Sequence, residues 1–227
     1  PPGLLIFDET YYVNVARILL RLPQKPDVWP NATLGIDSVN QEHPLLAKLM
    51  IALSMSFLGD NGWGWRIASV IFGLVSIFVL YLLLKKASKD SLIALIGTLV
   101  FSFDTLVFVH SRIATLDIFV LGFMLLGFYW YFSSRVKLSA LAMALATLCK
   151  IGGFYGVLTL GAFHLARELA TRGRKTDWKA LLTLFEKYSI VYLGSFLVLL
   201  TLIDFFWAGY KNPFEHLSHI YTYTFAL

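Results

Sequence analysis

Adjacent carboxylates at Asp8 and Glu9 are followed along the chain by Arg66, by the closely spaced His110, Arg112 and Asp117, by Lys150, and by Asp204. Carboxylates can take a proton from a hydroxyl, and cations can hold an anionic leaving group. Neighbours on a helix point about 100° apart, so Asp8 and Glu9 cannot easily act on one atom. One would accept a proton from an acceptor hydroxyl while the other anchors a basic residue or substrate backbone. A plain capping acid at a helix start is the alternative reading. His43 opens the run His43-Pro44-Leu45-Leu46-Ala47-Lys48, which alone reads as a loop leading into an amphipathic segment. His216 and His219 are three apart and could share a helix face, but no carboxylate or cysteine partner stands at ligand spacing. There is no glycine-rich phosphate loop and no Ser/His/Asp signal. The residues therefore call for no metal and no cofactor.

The elements that must position these groups follow from composition. Of 227 residues, 58% are apolar, 16% aromatic and only 15% charged, and the mean hydropathy is +0.70. Those values exclude a soluble monomer and a disordered chain, and predict an all-α, polytopic transmembrane helix bundle. Six apolar runs are predicted to cross, at about 67–84, 91–103, 113–132, 138–149, 153–166 and 188–207. Two are short and need tilt, local thinning or burial among neighbours. Residues 1–65 form a loop carrying the acidic motif and amphipathic helices, and 208–227 begin a second loop.

The net charge of +5 comes from basic residues in the links between runs, which indicates topology and no nucleic-acid partner. Lys85, Lys86, Lys89, then Arg135 and Lys137, then the link 167–187 alternate onto one face, read as cytoplasmic. The loop 1–65, the link Asp104 to Arg112, the turn at Lys150 and the tail then face outward. An extracytoplasmic site in the plasma membrane is the consequence. Asp117, Lys150 and Asp204 fall near the outer helix ends, flanked by Arg66, Asp104, His110 and Arg112; snorkelling and structural ion pairs are the competing explanation. Asn31-Ala32-Thr33 fits a glycosylation acceptor. The one cysteine, Cys149, permits no internal disulfide. A start without Met and a stop within an aromatic stretch lead us to expect one earlier span and several later ones.

Four blocks resemble the protein O-mannosyltransferase family, membrane glycosyltransferases of the GT-C fold, and especially its archaeal and bacterial members. They are Phe7-Asp8-Glu9-Thr10-Tyr11-Tyr12, Glu42-His43-Pro44-Leu45-Leu46-Ala47-Lys48-Leu49, Gly59-Asp60-Asn61 with Gly64-Trp65-Arg66-Ile67, and His110-Ser111-Arg112-Ile113-Ala114-Thr115-Leu116-Asp117. Where the family has His-Pro-Pro-Leu this chain has His43-Pro44-Leu45-Leu46, and Gln41 replaces an acid often found there. The resemblance implies transfer of a sugar, typically mannose, from a polyprenyl or dolichyl phosphate carrier to a Ser or Thr hydroxyl of protein, with inversion and without a metal. The family's catalytic aspartate matches Asp8, with Glu9 beside it. Arg66, Lys150 and Arg112 are then the candidates for the donor phosphate, Arg66 or Lys150 foremost, with Arg112 pairing with Glu9 or Asp117. His43, Lys48 and Asp117 would support them. A lipid or glycan acceptor, and a catalytically silent subunit of a membrane complex, remain as alternatives; a transporter is opposed by the shared outer level of the charges. Membrane lipids are partners in every case, and a dimer or larger assembly is left open.

Overall fold

The computed structural model describes residues 3–22, 42–173, 176–208, 210 and 212–225. Asn31-Ala32-Thr33 and Gln41 lie outside them. Among the described residues the chain is all helical: α1 (Glu9–Leu19), α2 (Leu46–Leu58), α3 (Gly62–Ser88), α4 (Ser91–Ser102), α5 (Thr105–His110), α6 (Asp117–Phe132), α7 (Val136–Cys149), α8 (Phe154–Arg172), α9 (Trp178–Ile203) and α10 (Pro213–Phe225). A 3-10 turn over Ile151–Gly153 joins α7 to α8, and a π turn over Asp204–Ala208 prolongs α9.

Side-chain caps fix where several helices begin. Asn61 accepts hydrogen bonds from Trp63 N at 2.9 Å and Gly64 N at 3.2 Å to start α3, and Asp90 starts α4 in the same way. Asp104 caps α5, so its place in the outer polar group is structural. The turn between α2 and α3 is tight. Gly59 sits at φ +83°, and a Cβ on Gly64 would lie 1.9 Å from the Gly59 carbonyl oxygen, which requires glycine at both positions.

Helices α3 and α9, the latter with its π extension, are long and apolar enough to cross a membrane; α2, α4, α6 and α7 are shorter apolar helices. Helix bounds and apolar runs differ at three places. The link Asp104 to Arg112 contains α5, itself mostly apolar, and α6 starts only at Asp117 after an irregular turn. Much of the polar link 167–187 is also helical, α8 ending at Arg172 and α9 starting at Trp178. A hydropathy run marks what avoids water, whereas a helix continues into water wherever its ends are solvated. The Glu168–Arg172 ion pair at 3.1 Å, four residues apart on α8, suits such an exposed end.

Two apolar clusters hold the bundle. One joins Val13 and Ala16 of α1, Ile51 and Met55 of α2, Trp65 of α3, and Leu116, Ile118 and Phe119 around the start of α6. The other joins Met143 and Leu148 of α7 to Leu160 of α8 and to Tyr192, Phe196 and Leu200 of α9. Hydroxyl pairs cross the α7–α9 contact, Ser139 with Tyr188 at 3.1 Å and Thr147 with Tyr192 at 3.0 Å, which leaves no buried hydroxyl unpaired there. Because α1 and α2 lie over the first cluster, the acidic motif is held against the first turns of α3 and α6.

Candidate active site

Asp8 and Glu9 stand next to each other and meet opposite surroundings. Glu9 is fully buried. Its Oε1 accepts from Arg66 Nε at 2.7 Å and Ala114 N at 2.8 Å, and its Oε2 from Arg66 Nη2 at 2.6 Å and Ile6 N at 2.9 Å. Four donors saturate the carboxylate, and the fork-to-fork geometry with Arg66 is the strong form of an ion pair. Arg66 is itself buried and also donates from Nη2 to the Leu4 carbonyl at 2.9 Å. Of the two roles open to the acidic pair, Glu9 thus has the geometry of the one that anchors a basic residue, and the guanidinium of Arg66, a candidate for the donor phosphate, is engaged by Glu9 instead.

A second knot locks the same corner. Arg17 Nε lies 2.9 Å from Asp60 Oδ2, Arg17 Nη1 donates to Asn14 Oδ1 at 2.7 Å, and Trp65 Nε1 donates to Asp60 Oδ1 at 2.7 Å. The Trp65 ring lies near both guanidinium groups, 5.5 Å from Arg17 and 5.9 Å from Arg66. Sequence reasoning passed over Arg17 and Asp60 as partners, since their spacing along the chain carries no signal.

Asp8 is half-buried, and although it stands at the N-cap of α1 its side chain makes no capping bond to the helix, so hydrogen-bonded capping does not account for it. Burial raises its pKa above the ordinary carboxylate value, Asp117 adds to the rise, and Lys150 and His110 oppose it. Those neighbours form an open cluster. Lys150 Nζ lies 2.8 Å from Asp117 Oδ1, His110 Nδ1 lies 3.8 Å from Asp117 Oδ2, and His110 Nδ1 is 2.8 Å from Thr115 Oγ1. The pairing expected between Arg112 and Glu9 or Asp117 is replaced by Arg66 on Glu9 and Lys150 on Asp117. Lys150 can be brought there because α7 ends at Cys149 and leaves it extended, at φ −160° and ψ 138°.

His43 and Lys48, and Tyr12 of α1, also stand near this cluster. Burial, with the charges of Lys48 and Lys150, lowers the His43 pKa to about 4, so its ring is neutral at pH 7 and its buried Nδ1 has no partner among the described residues. Lys48 donates to the His43 carbonyl at 2.9 Å, and complete burial lowers its pKa to about 7; it positions His43. Burial and then the charges of Asp8, Asp117 and Glu42 raise the Tyr12 pKa. Tyr12 was missed, although it stands four residues after Asp8, on the same face of α1.

Asp204 joins none of this. It is buried against His216 Nδ1 at 2.8 Å, while His219 lies 3.4 Å from the Tyr210 hydroxyl. The carboxylate partner of His216 thus comes from a different element, and the two histidines do not share a ligand.

A family model described as dolichyl-phosphate-mannose-protein mannosyltransferase matches residues 42–207. The chain belongs to this family. Among curated relatives of the mannosyltransferase family, a polyprenol-phosphate-mannose–protein mannosyltransferase of Mycobacterium tuberculosis is 26% identical over 205 residues, covering 75% of this chain and 37% of the relative. One of the same name from Corynebacterium glutamicum is 32% identical over 127 residues, covering 54% and 23%. An undecaprenyl phosphate-alpha-4-amino-4-deoxy-L-arabinose arabinosyl transferase of Pseudomonas aeruginosa is 31% identical over 123 residues, covering 51% and 20%. The chain thus matches little more than a third of these relatives' length at most. No solved structure matches it. Family membership accounts for an all-α membrane protein of GT-C type.

Proposed function

We propose that the protein carrying this chain transfers a sugar, typically mannose, from a polyprenyl-phosphate carrier to a protein hydroxyl at the outer membrane face, with Asp8 as the general base. The observation that carries this reading is the contrast at the acidic motif: Glu9 is saturated, whereas Asp8 has no capping bond and meets the open cluster of Lys150, Asp117 and His110. In the reaction Asp8 takes the proton of the acceptor hydroxyl as its oxygen bonds to the anomeric carbon. The bond to the carrier phosphate breaks on the opposite face, which inverts the centre. The Lys150 ammonium, held at the helix end by Asp117, stabilises the charge gathering on the departing phosphate. Neutral His43 and Tyr12 supply hydrogen bonds to sugar hydroxyls.

The distribution of basic residues supports the outer location. The basic positions Lys85, Lys86 and Lys89, and Arg135 with Lys137, stand at the helix ends opposite to those bearing Asp8, Asp117 and Lys150. A cysteine at Lys86 in intact cells is shielded from an impermeant thiol reagent and one at Trp63 reacts; the reverse labelling would move the site to the cytoplasm.

The direct test is Asp8→Asn in the full-length protein, which keeps the shape and removes the proton acceptor. Turnover falls by about 10² or more while carrier lipid still binds. Near-normal turnover with chemistry limiting would remove Asp8 from this role. The same assay is run with lipid acceptors beside protein ones, since transfer to lipid alone would change the acceptor and leave the chemistry intact.

A further inference from the structure

Near the site, Arg17, Arg66 and Lys150 each face a carboxylate. Arg112 does not. Its side chain is exposed, and among the described residues its guanidinium makes no hydrogen bond or ion pair; it lies over the Phe108 ring, 4.7 Å from the centroid. Stacking fixes the guanidinium in place and leaves its N–H donors available in the fork that suits a phosphate. It also stands on the wall of a cleft of about 440 Å³ between the beginning of α3 and the end of α5 with the turn after it, where Trp63, Ile67, Val70, Val109 and Ile113 supply apolar wall. That volume falls within the roughly 300–1,000 Å³ of ordinary ligand sites. Trp63 is 63% exposed at the beginning of a membrane-length helix, the place where tryptophan marks the headgroup level of a bilayer.

We propose that this cleft holds a membrane phospholipid of net negative charge, its phosphate on Arg112 and an acyl chain along the apolar wall. Charge decides the class of lipid. Arg66 also lines the cleft but is neutralised by Glu9, so the site presents one uncompensated positive charge, which a lipid of charge −1 matches and a zwitterionic lipid does not. Position decides against the sugar carrier. None of Asp8, His110, Asp117 or Lys150 lines the cleft, so a phosphate on Arg112 is not in contact with the carboxylate proposed to take the proton. Arg112 therefore passes from the donor set to a lipid site beside it, an inference that needs the membrane setting and does not depend on the role of Asp8.

The test is lipid retention by the purified full-length protein, with phosphatidylglycerol and phosphatidylcholine offered together and bound lipid counted by native mass spectrometry. Phosphatidylglycerol is retained over phosphatidylcholine by on the order of tenfold, as one charge-assisted contact allows. Arg112→Gln removes that preference. Val70→Trp, which fills the cleft and keeps the charge, lowers retention of both lipids, and Asp8→Asn changes neither. The proposal is overturned if wild-type protein shows no preference, or if the preference survives Arg112→Gln. With undecaprenyl phosphate added to the mixture, it is likewise overturned if Arg112→Gln leaves phosphatidylglycerol in place and instead releases that carrier, which would return the cleft to it.

Discussion

The knot of Glu9, Arg66, Arg17, Asp60 and Trp65 and the cluster of Asp8, Lys150, Asp117 and His110 share the same corner of the bundle and nearly the same residue types. They differ in closure. In the knot Glu9, Arg66 and Arg17 are buried and Asp60 keeps only 20% of its side chain exposed; each carboxylate oxygen of Glu9 accepts two hydrogen bonds, and Arg66 and Ala114 reach it from far along the chain. In the cluster Asp117 keeps 44% of its side chain exposed and Lys150 keeps 32%, and Asp8 has no capping bond. A saturated group can hold parts together but cannot exchange a proton with a visitor. An unsaturated one can, provided something else fixes its backbone. The knot does that for Asp8, because pinning Glu9 to α3 and to the turn before α6 sets where its neighbour points.

Removing one charge from the knot is the harshest way to break this comparison. In Glu9→Gln the Arg66 guanidinium stays buried without its counter-charge, and losing one partner of a buried pair costs about 3–5 kcal/mol. The expected outcome is a large drop in the thermal unfolding midpoint of the detergent-solubilised protein, or its failure to accumulate. Replacing both partners, Glu9→Met with Arg66→Met, restores much of the stability because no unpaired charge remains. Glu9→Gln protein that unfolds like wild type would show that the knot does not hold the corner.

The open pair should respond in the opposite sense. Lys150→Gln breaks a partly exposed ion pair, so stability shifts by less than about 1 kcal/mol. Carrier binding or turnover nevertheless falls on the order of tenfold, because a charged contact to the donor phosphate is lost. Equal losses of stability in Lys150→Gln and Glu9→Gln would erase the distinction between the two regions.

Much of this corner was legible in the sequence, for identifiable reasons. Membrane character followed from the apolar runs, and the placing of Asp117 and Lys150 together at one helix-end level followed from counting residues from the ends of those runs. That Asp8 and Glu9 would meet different surroundings followed from the 100° step of a helix, though not which of the two would meet Arg66. Partner choice was the illegible step. Arg66 and Arg112 are both arginines at the same level, and only the approach of α1 to α3 decides that Glu9 meets the first. Asp204 likewise looked like a member of the outer charge set until α10 brought His216 onto it. The apolar runs marked spans and not helix ends: α8 and α9 continue into the polar link 167–187, since hydropathy reports lipid contact and not backbone hydrogen bonding.

The smallest effect sharpens the comparison most, because it reads the environment of Asp8 without removing it. Burial holds the Asp8 pKa above the ordinary carboxylate value, Asp117 pushes it in the same direction, and Lys150 and His110 push it back. The raised pKa makes Asp8 easier to protonate than an ordinary carboxylate, so a base that must be ionised loses activity as pH falls through a point above the usual carboxylate range. The acid limb of kcat/KM should lie there. In Lys150→Gln an opposing charge is gone and Asp117 is left uncompensated; both changes move the limb to higher pH. Asp117→Asn removes a negative charge and releases Lys150 from its partner, moving the limb to lower pH. Glu9→Asp with Arg66 retained, if it folds, keeps the pair and leaves the limb where it was. Profiles normalised to their own maxima separate these shifts from the accompanying losses in rate. Should the two substitutions at Lys150 and Asp117 move the limb in the same direction, the titrating group is not a carboxylate set between them, and the cluster would be scaffold in the same sense as the knot.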